Sequence, residues 1–132
     1  MAFTFAYDLT GAAPIIRKQT VADTVVLSKG EMVNLESGEL TTAVTADTAI
    51  YGVTAEAVDN TDDGLECAVI VNPFAVYAVT DANARLAGAP LDIGTGALTL
   101  ASNSNSDLVV VEDSTATEPT LVTFNGSHIF NP

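Results

Sequence analysis

Gly30-Glu-Met-Val-Asn-Leu-Glu-Ser-Gly-Glu-Leu-Thr-Thr-Ala43 decides the fold, because it returns without gaps 58 positions later as Gly88-Ala-Pro-Leu-Asp-Ile-Gly-Thr-Gly-Ala-Leu-Thr-Leu-Ala101. Both glycines, Leu40/Leu98, Thr41/Thr99 and Ala43/Ala101 are identical, and Val33/Leu91, Asn34/Asp92, Leu35/Ile93 and Ser37/Thr95 are close substitutes. In each copy two apolar residues flank one polar residue, the period-2 pattern of a half-buried strand. Ser37-Gly38 and Thr95-Gly96 then supply the positive-φ residue that a tight hairpin needs. Leu40 and Leu98 resume the inward face. At the same offset Ile50–Val53 falls on Leu108–Val111, again strand-like, so the repeat runs over 30–57 and 88–115. Beyond it, Val69-Ile70-Val71-Asn72 resembles Val122-Thr123-Phe124-Asn125 once five positions are removed. The plain alternative is two ordinary hairpins sharing common turn chemistry.

Outward from the repeat, short β-like runs alternate with turn signals at roughly 8–12-residue spacing. No sustained 3.6-residue period occurs; Asp81–Leu86 is the best candidate for a single helical turn, with Asp81 as its cap. The expected fold is all-β: a small β-barrel, β-tulip or sandwich built from two similar hairpin-containing units, over residues 15–132. Residues 1–14 read differently. Phe3, Phe5 and Tyr7 alternate with Thr4, Ala6 and Asp8 before the break Gly11-Ala12-Ala13-Pro14. Three aromatics on one face of an extended segment want a partner. They are either an edge strand of the core sheet or an N-terminal arm that adds a strand to another subunit.

The composition fits one domain with a real core: 132 residues, 48% apolar, mostly Ala and Val, with no Trp. The net charge is −13, from 17 acidic and four basic residues. Such a surface repels phosphate backbones and anionic membranes, so neither nucleic acid nor membrane is an expected partner. No secretory leader is expected, since Met1–Leu9 has no basic start and Asp8 interrupts a short apolar stretch. Ala68–Val79 is broken by Asn72-Pro73 and too short to span a bilayer.

Catalytic and metal chemistry find no foothold. The single His128 and single Cys67 can build neither a triad nor a zinc site, and Cys67 lies in an apolar run that suits a small core residue. Asp59-Asn60-Thr61-Asp62-Asp63-Gly64 has the start of a calcium loop, but Thr61 and Ile70 stand where the third and twelfth ligands belong, so it reads as a solvated turn. Asn125-Gly126-Ser127 reads as a turn, and Asn103–Asp107 as a polar loop without an adjacent stacking aromatic. No catalytic residue, cofactor or metal ligand is expected. Phe74-Ala75-Val76-Tyr77-Ala78-Val79 is apolar on both faces. It is either covered within the monomer or a self-association surface formed by Phe74, Val76 and Tyr77.

Lys29–Ala57 followed by Cys67–Thr80 resembles the small capsid decoration (cement) proteins of tailed bacteriophages. The shared features are a Gly-initiated hairpin, a strand of the form Ile50-Tyr51-Gly52-Val53-Thr54-Ala55, and a Val-rich strand ending at Asn72-Pro73. The resemblance implies a β-barrel or β-tulip domain on the outer capsid surface, made in the host cytoplasm, commonly a homotrimer. It implies the major capsid protein as partner, with Phe3, Phe5 and Tyr7 as the arm that clamps adjacent coat subunits. A head-fibre base, a glycan adhesin and a tail or baseplate component are the alternative readings.

Overall fold

The β-branched, aromatic-poor runs form strands throughout a computed structural model that describes residues 2–44, 49–102 and 106–132. The strands are β1 (Thr4–Asp8), β2 (Ile16–Thr20), β3 (Val26–Leu27), β4 (Met32–Glu36), β5 (Glu39–Thr42), β6 (Ile50–Thr54), β7 (Val58–Asp59), β8 (Glu66–Ile70), β9 (Ala75–Val79), β10 (Pro90–Ile93), β11 (Leu100–Ala101), β12 (Leu108–Val110) and β13 (Thr120–Phe124). One 3₁₀ turn, Thr95–Ala97, lies between β10 and β11. The all-β expectation holds, in its sandwich form: neither large sheet closes into a barrel.

The duplication is written into the topology. The five-stranded sheet has the order β2-β8-β6-β4-β5, and the six-stranded sheet has the order β1-β9-β13-β12-β10-β11. Without β1, the second sheet has the connectivity of the first, strand for strand. The likeness seen around the hairpins therefore reaches both flanks: β2 corresponds to β9 and β8 to β13. All ladders between neighbours in these two sheets are antiparallel.

The two hairpins differ in their turns. In the first, Ser37 and Gly38 both have positive φ and join the Glu36↔Glu39 pair directly, as a two-residue hairpin requires. The second was expected to match, but its last pair is Ile93↔Leu100, and the wider loop between them holds the 3₁₀ turn. Gly94 permits this, because a Cβ there would collide with the Thr99 side chain. The expected helical turn at Asp81–Leu86 does not form. The Asp81 carboxylate instead accepts from Arg85 Nε at 2.6 Å, while the Arg85 backbone pairs with Ser114.

Two apolar cores result. The first lies between the sheets, where Tyr77, Ile93, Leu108 and Val122 of the larger sheet meet Met32, Ile50 and Val53 of the smaller. The second lies on the other face of the smaller sheet, where Val33, Leu40, Tyr51, Cys67 and Val69 meet Val21, Leu27 and Val58. Leu27 and Val58 come from the β3–β7 ribbon. The smaller sheet curls round this second core, and its outer strands approach at one point, where Ala22 N donates to Leu40 O at 3.0 Å. β6 is consequently buried at every residue. Full burial on both faces suits the apolar Ile50–Val53, and the buried Thr54 hydroxyl that follows donates to Ser28 O and accepts from Glu31 N.

Gly52 sits in the middle of β6, where a Cβ would strike the Ile70 carbonyl on β8. Gly52→Ala is expected to lose about 3 kcal/mol or more, because the backbone oxygen cannot move aside without breaking the ladder. Thermal melts of the two proteins check this; an unchanged melting temperature would remove the close approach as a constraint.

Candidate functional site

The N-terminal segment does not project as an arm. β1 pairs antiparallel with β9, Thr4 opposite Ala78 and Asp8 opposite Ala75, with an irregularity between Phe5 and Tyr7. Phe3 is buried in the inter-sheet core, and its N–H donates to Gly30 O at 2.9 Å. Phe5 lies edge-on to Tyr77, ring centroids 6.1 Å apart, and Tyr7 is exposed. Burial of Phe3 at home yields more than solvent exposure on a free arm would, so only Tyr7 of the three faces outward. The edge-strand alternative is the one the chain adopts.

A side-chain node fixes the path that follows. Asn72 is buried between β8 and β9; its Nδ2 donates to Asp8 Oδ2 and to Ala13 O, each at 3.0 Å, and its Oδ1 accepts from Ile15 N at 2.6 Å. Thr10 donates to Asp8 Oδ1 through both its N–H and its hydroxyl. Burial works against a charge on Asp8, but the hydrogen bonds from Thr10 and Asn72 outweigh it and hold the carboxyl below the ordinary value.

The Phe74, Val76, Tyr77 surface is also corrected. Val76 and Tyr77 are fully buried within the monomer, Tyr77 in the inter-sheet core, and β1 and β13 flank the strand on both edges; of the three only Phe74 is exposed. The Tyr77 ring lies between the edges of Phe5 and Phe124, and its hydroxyl has no hydrogen-bond partner. Burial, then the nearby Asp8 charge, raise its pKa far above the usual phenol value.

The remaining reactive groups are built into packing. Cys67 lies in the second core with its thiol pushed up to about 11, by burial first and then by Glu56 and Glu31. His128 is buried against Phe124 at 4.8 Å; its Nδ1 accepts from Phe130 N at 3.1 Å, while its Nε2 has no partner. Burial pushes its pKa down to about 4, opposed by a backbone group of Tyr51. In the acidic loop, the Asp59 carboxylate takes both Thr61 donors and Asp63 accepts from Thr24 N. Asn60, passed over in the sequence, is fully buried and holds Val21, Ala22 and Leu65 in place. Among the described residues no three His, Cys, Asp or Glu side chains converge as metal ligands. Asn103, Ser104 and Asn105 of the polar loop lie outside the described residues; its end is tied down by Asp107, whose carbonyl accepts from Asn125 N and the Ser127 hydroxyl.

What the surface does offer lies at the side of the sandwich where β1 and β2 form the outer strands. A groove of about 330 Å³ runs there between Phe5 of the larger sheet and Thr54, Ala55 and Ile70 of the smaller, with Lys29 at its wall. Beside Ile70 stands Ile16 of β2, its register partner, which is exposed like its neighbour Ile15. No family model and no curated protein matches this sequence. Among solved structures, the crystal structure of the N base of head fibre gp8.5 from bacteriophage phi29 matches at a TM-score of 0.57 and 14% identity, over 86% of this chain and 98% of that one. The likeness is one of fold. It extends over most of this chain and nearly all of that one, far more than one hairpin.

Two outcomes follow from the buried ring groups. Tyr77→Phe removes an unpaired buried hydroxyl and is expected to leave the melting temperature unchanged or raise it, whereas Tyr77→Glu unfolds the domain instead of dissociating an oligomer. A marked loss of stability in Tyr77→Phe would show that the hydroxyl has a partner. For His128, the folded pKa of about 4 lies below the ordinary 6.5. The unfolded chain therefore takes up the proton first, and the His128 contribution, complete above pH 6.5, declines as pH falls toward 4. Melts from pH 7 to 4.5 should fall less steeply in His128→Phe than in the native protein; parallel curves would contradict the burial effect.

Proposed function

We propose that this chain is a structural protein of a phage virion, seated on the outside of the head in the manner of a head-fibre base. The observation that supports this most is the match in fold to the phi29 head-fibre base, which takes in nearly all of that chain and most of this one. The acidic surface suits the outside of a particle, since net charge of one sign keeps particles apart in solution. The His, Cys and Asp side chains described above serve packing and turns, so the reading assigns the protein no catalysis.

Attachment in this proposal is to the major capsid protein, and a trimer is the expected oligomer. The contact does not use a free aromatic arm, because β1 is committed to β9. It uses surface already formed in the folded domain, which lowers the ordering entropy lost on binding. A decoration role, in which many copies bind the mature shell better than its open forms, shares this location and differs in consequence: it would raise the heat resistance of the head by mass action.

The test is cosedimentation of the purified protein with separated heads and tails of the phage that encodes it. Binding to heads, with little change in the temperature at which empty heads come apart, is the expected result. A clear rise in that temperature would favour the decoration role, and binding to tails alone would overturn the proposal.

A further inference from the structure

The internal duplication gives each sheet a corresponding outer strand, β9 in one and β2 in the other, and only one of the two is covered. β9 carries β1 along its outer edge in antiparallel register. β2 has β8 on one side; on the other, among the described residues, it meets β5 and its hairpin only toward its C-terminal end, where Ala22 N donates to Leu40 O at 3.0 Å, and Ile16–Lys18 carry no paired strand. We propose that the open edge of β2 is a docking site for an extended, acidic segment of a partner protein, which adds as an antiparallel strand in the place that β1 occupies on β9.

The backbone is set up for this. Ile15 O accepts from Val71 N at 2.9 Å and Val21 N donates to Leu65 O at 3.0 Å, so the odd-numbered residues of this segment bond to the β8 side. In an antiparallel ladder the alternate residues then aim their N–H and C=O away from that partner. Ile16 and Lys18 are those residues, and they present a short row of outward donors and acceptors, the template on which strand addition works. Toward its end β2 meets the first hairpin, where Gln19 Nε2 donates to Gly38 O at 2.5 Å, so the open stretch is centred on Ile16–Lys18.

The side chains state the chemistry of the occupant. Arg17 and Lys18 are two of the four basic residues in a chain of net charge −13, and both are exposed on this one strand. The described ion pair, Arg85–Asp81, lies elsewhere. Local charge governs recognition at the range where salt screens the rest of the surface, about 8–10 Å. A second β2 laid antiparallel would bring like charges together, which is the protection that basic residues give an edge against self-pairing. An acidic strand meets the opposite sign. Ile16, beside Ile70, extends the apolar groove to the edge, so alternate apolar residues of the incoming strand have somewhere to pack.

The experiment titrates the folded protein with a synthetic ten-residue peptide that alternates Val or Thr with Glu, followed by amide NMR and hydrogen exchange. A peptide of the same pattern with Lys for Glu serves as the control. The expected result is shift changes and slowed exchange centred on the Ile16 and Lys18 amides, absent with the basic peptide. Binding should weaken at least tenfold in Arg17→Glu/Lys18→Glu. Lys18→Pro removes an outward N–H without taking a bond from the β8 ladder, and it should abolish the slowed exchange; if that variant does not fold, the charge-reversed protein carries the test. No change at these amides, an equal response to the basic peptide, or concentration-dependent protection without any peptide would each overturn the proposal, the last in favour of a second copy of this chain.

Discussion

The Asn72 side chain pins the chain where it passes between the two sheets. It sits at the joint between two copies of a five-stranded unit, and it ties the residues that lead into the first copy to the start of the second. Those leading residues form β1, which belongs by position to the first unit yet pairs with the outer strand of the second. At the far end the chain makes the reverse crossing. Residues after β13 return to the first unit, where Ile50 N donates to Ser127 O at 2.7 Å and Ile129 N donates to Ile50 O at 2.9 Å. Each unit thus carries a terminal segment of the other's side of the chain, and separating the sheets breaks hydrogen bonds at both ends as well as the apolar core. Non-local clasps of this kind add cooperativity, since neither sheet can open alone without leaving buried polar groups unpaired.

The unequal burial of the two copies follows from that arrangement. The first sheet stands between the second sheet and the β3–β7 ribbon, so its central strand β6 is covered on both faces and needs glycine where two backbones approach. The second sheet has large inward side chains, Tyr77 and Phe124 among them, and it is the one that carries β1, whose Phe5 packs against the same core as the preceding Phe3. Duplicated sequences diverge where their surroundings differ, and the difference is visible in single residues. Gly52 of β6 corresponds by offset to Val110 of β12, which keeps a full side chain in the core.

Much of this was legible in the sequence because it rests on local chemistry. The repeat, the period-2 alternation around Asn34 and Asp92, and the Ser37-Gly38 turn are all short-range signals, and each matches a strand or turn of the fold. The destination of β1 was not legible. Phe3, Phe5 and Tyr7 announce an apolar face and say nothing of which sheet receives it, because the pairing partner lies some seventy residues away. The same holds for Tyr77: apolar faces on both sides of a strand describe burial equally well by the chain's own segments or by a second molecule. Thr95-Gly96 misled in a different way, since the wider second turn depends on the close approach of Gly94 to Thr99, which turn residues alone do not encode. Of the surface, the sequence held one unused signal: two of four cations falling on a single five-residue strand.

Edges are where a sandwich of this kind meets other molecules, and the four outer strands here are treated unequally. β11 is only two residues long. β5 is met by Ala22 and by the Gln19 side chain. β1 is bent by its irregularity at Phe5–Tyr7 and pinned at its start by the Phe3–Gly30 bond. Shortening, covering and bending are the usual means by which β proteins close their edges to unwanted pairing. β2 shows none of them along Ile16–Lys18 and carries cations instead, a guard that stops like from meeting like while leaving the backbone open. An acidic protein that closes three edges sterically and the fourth only by charge remains selective there, because sign decides which strand can approach.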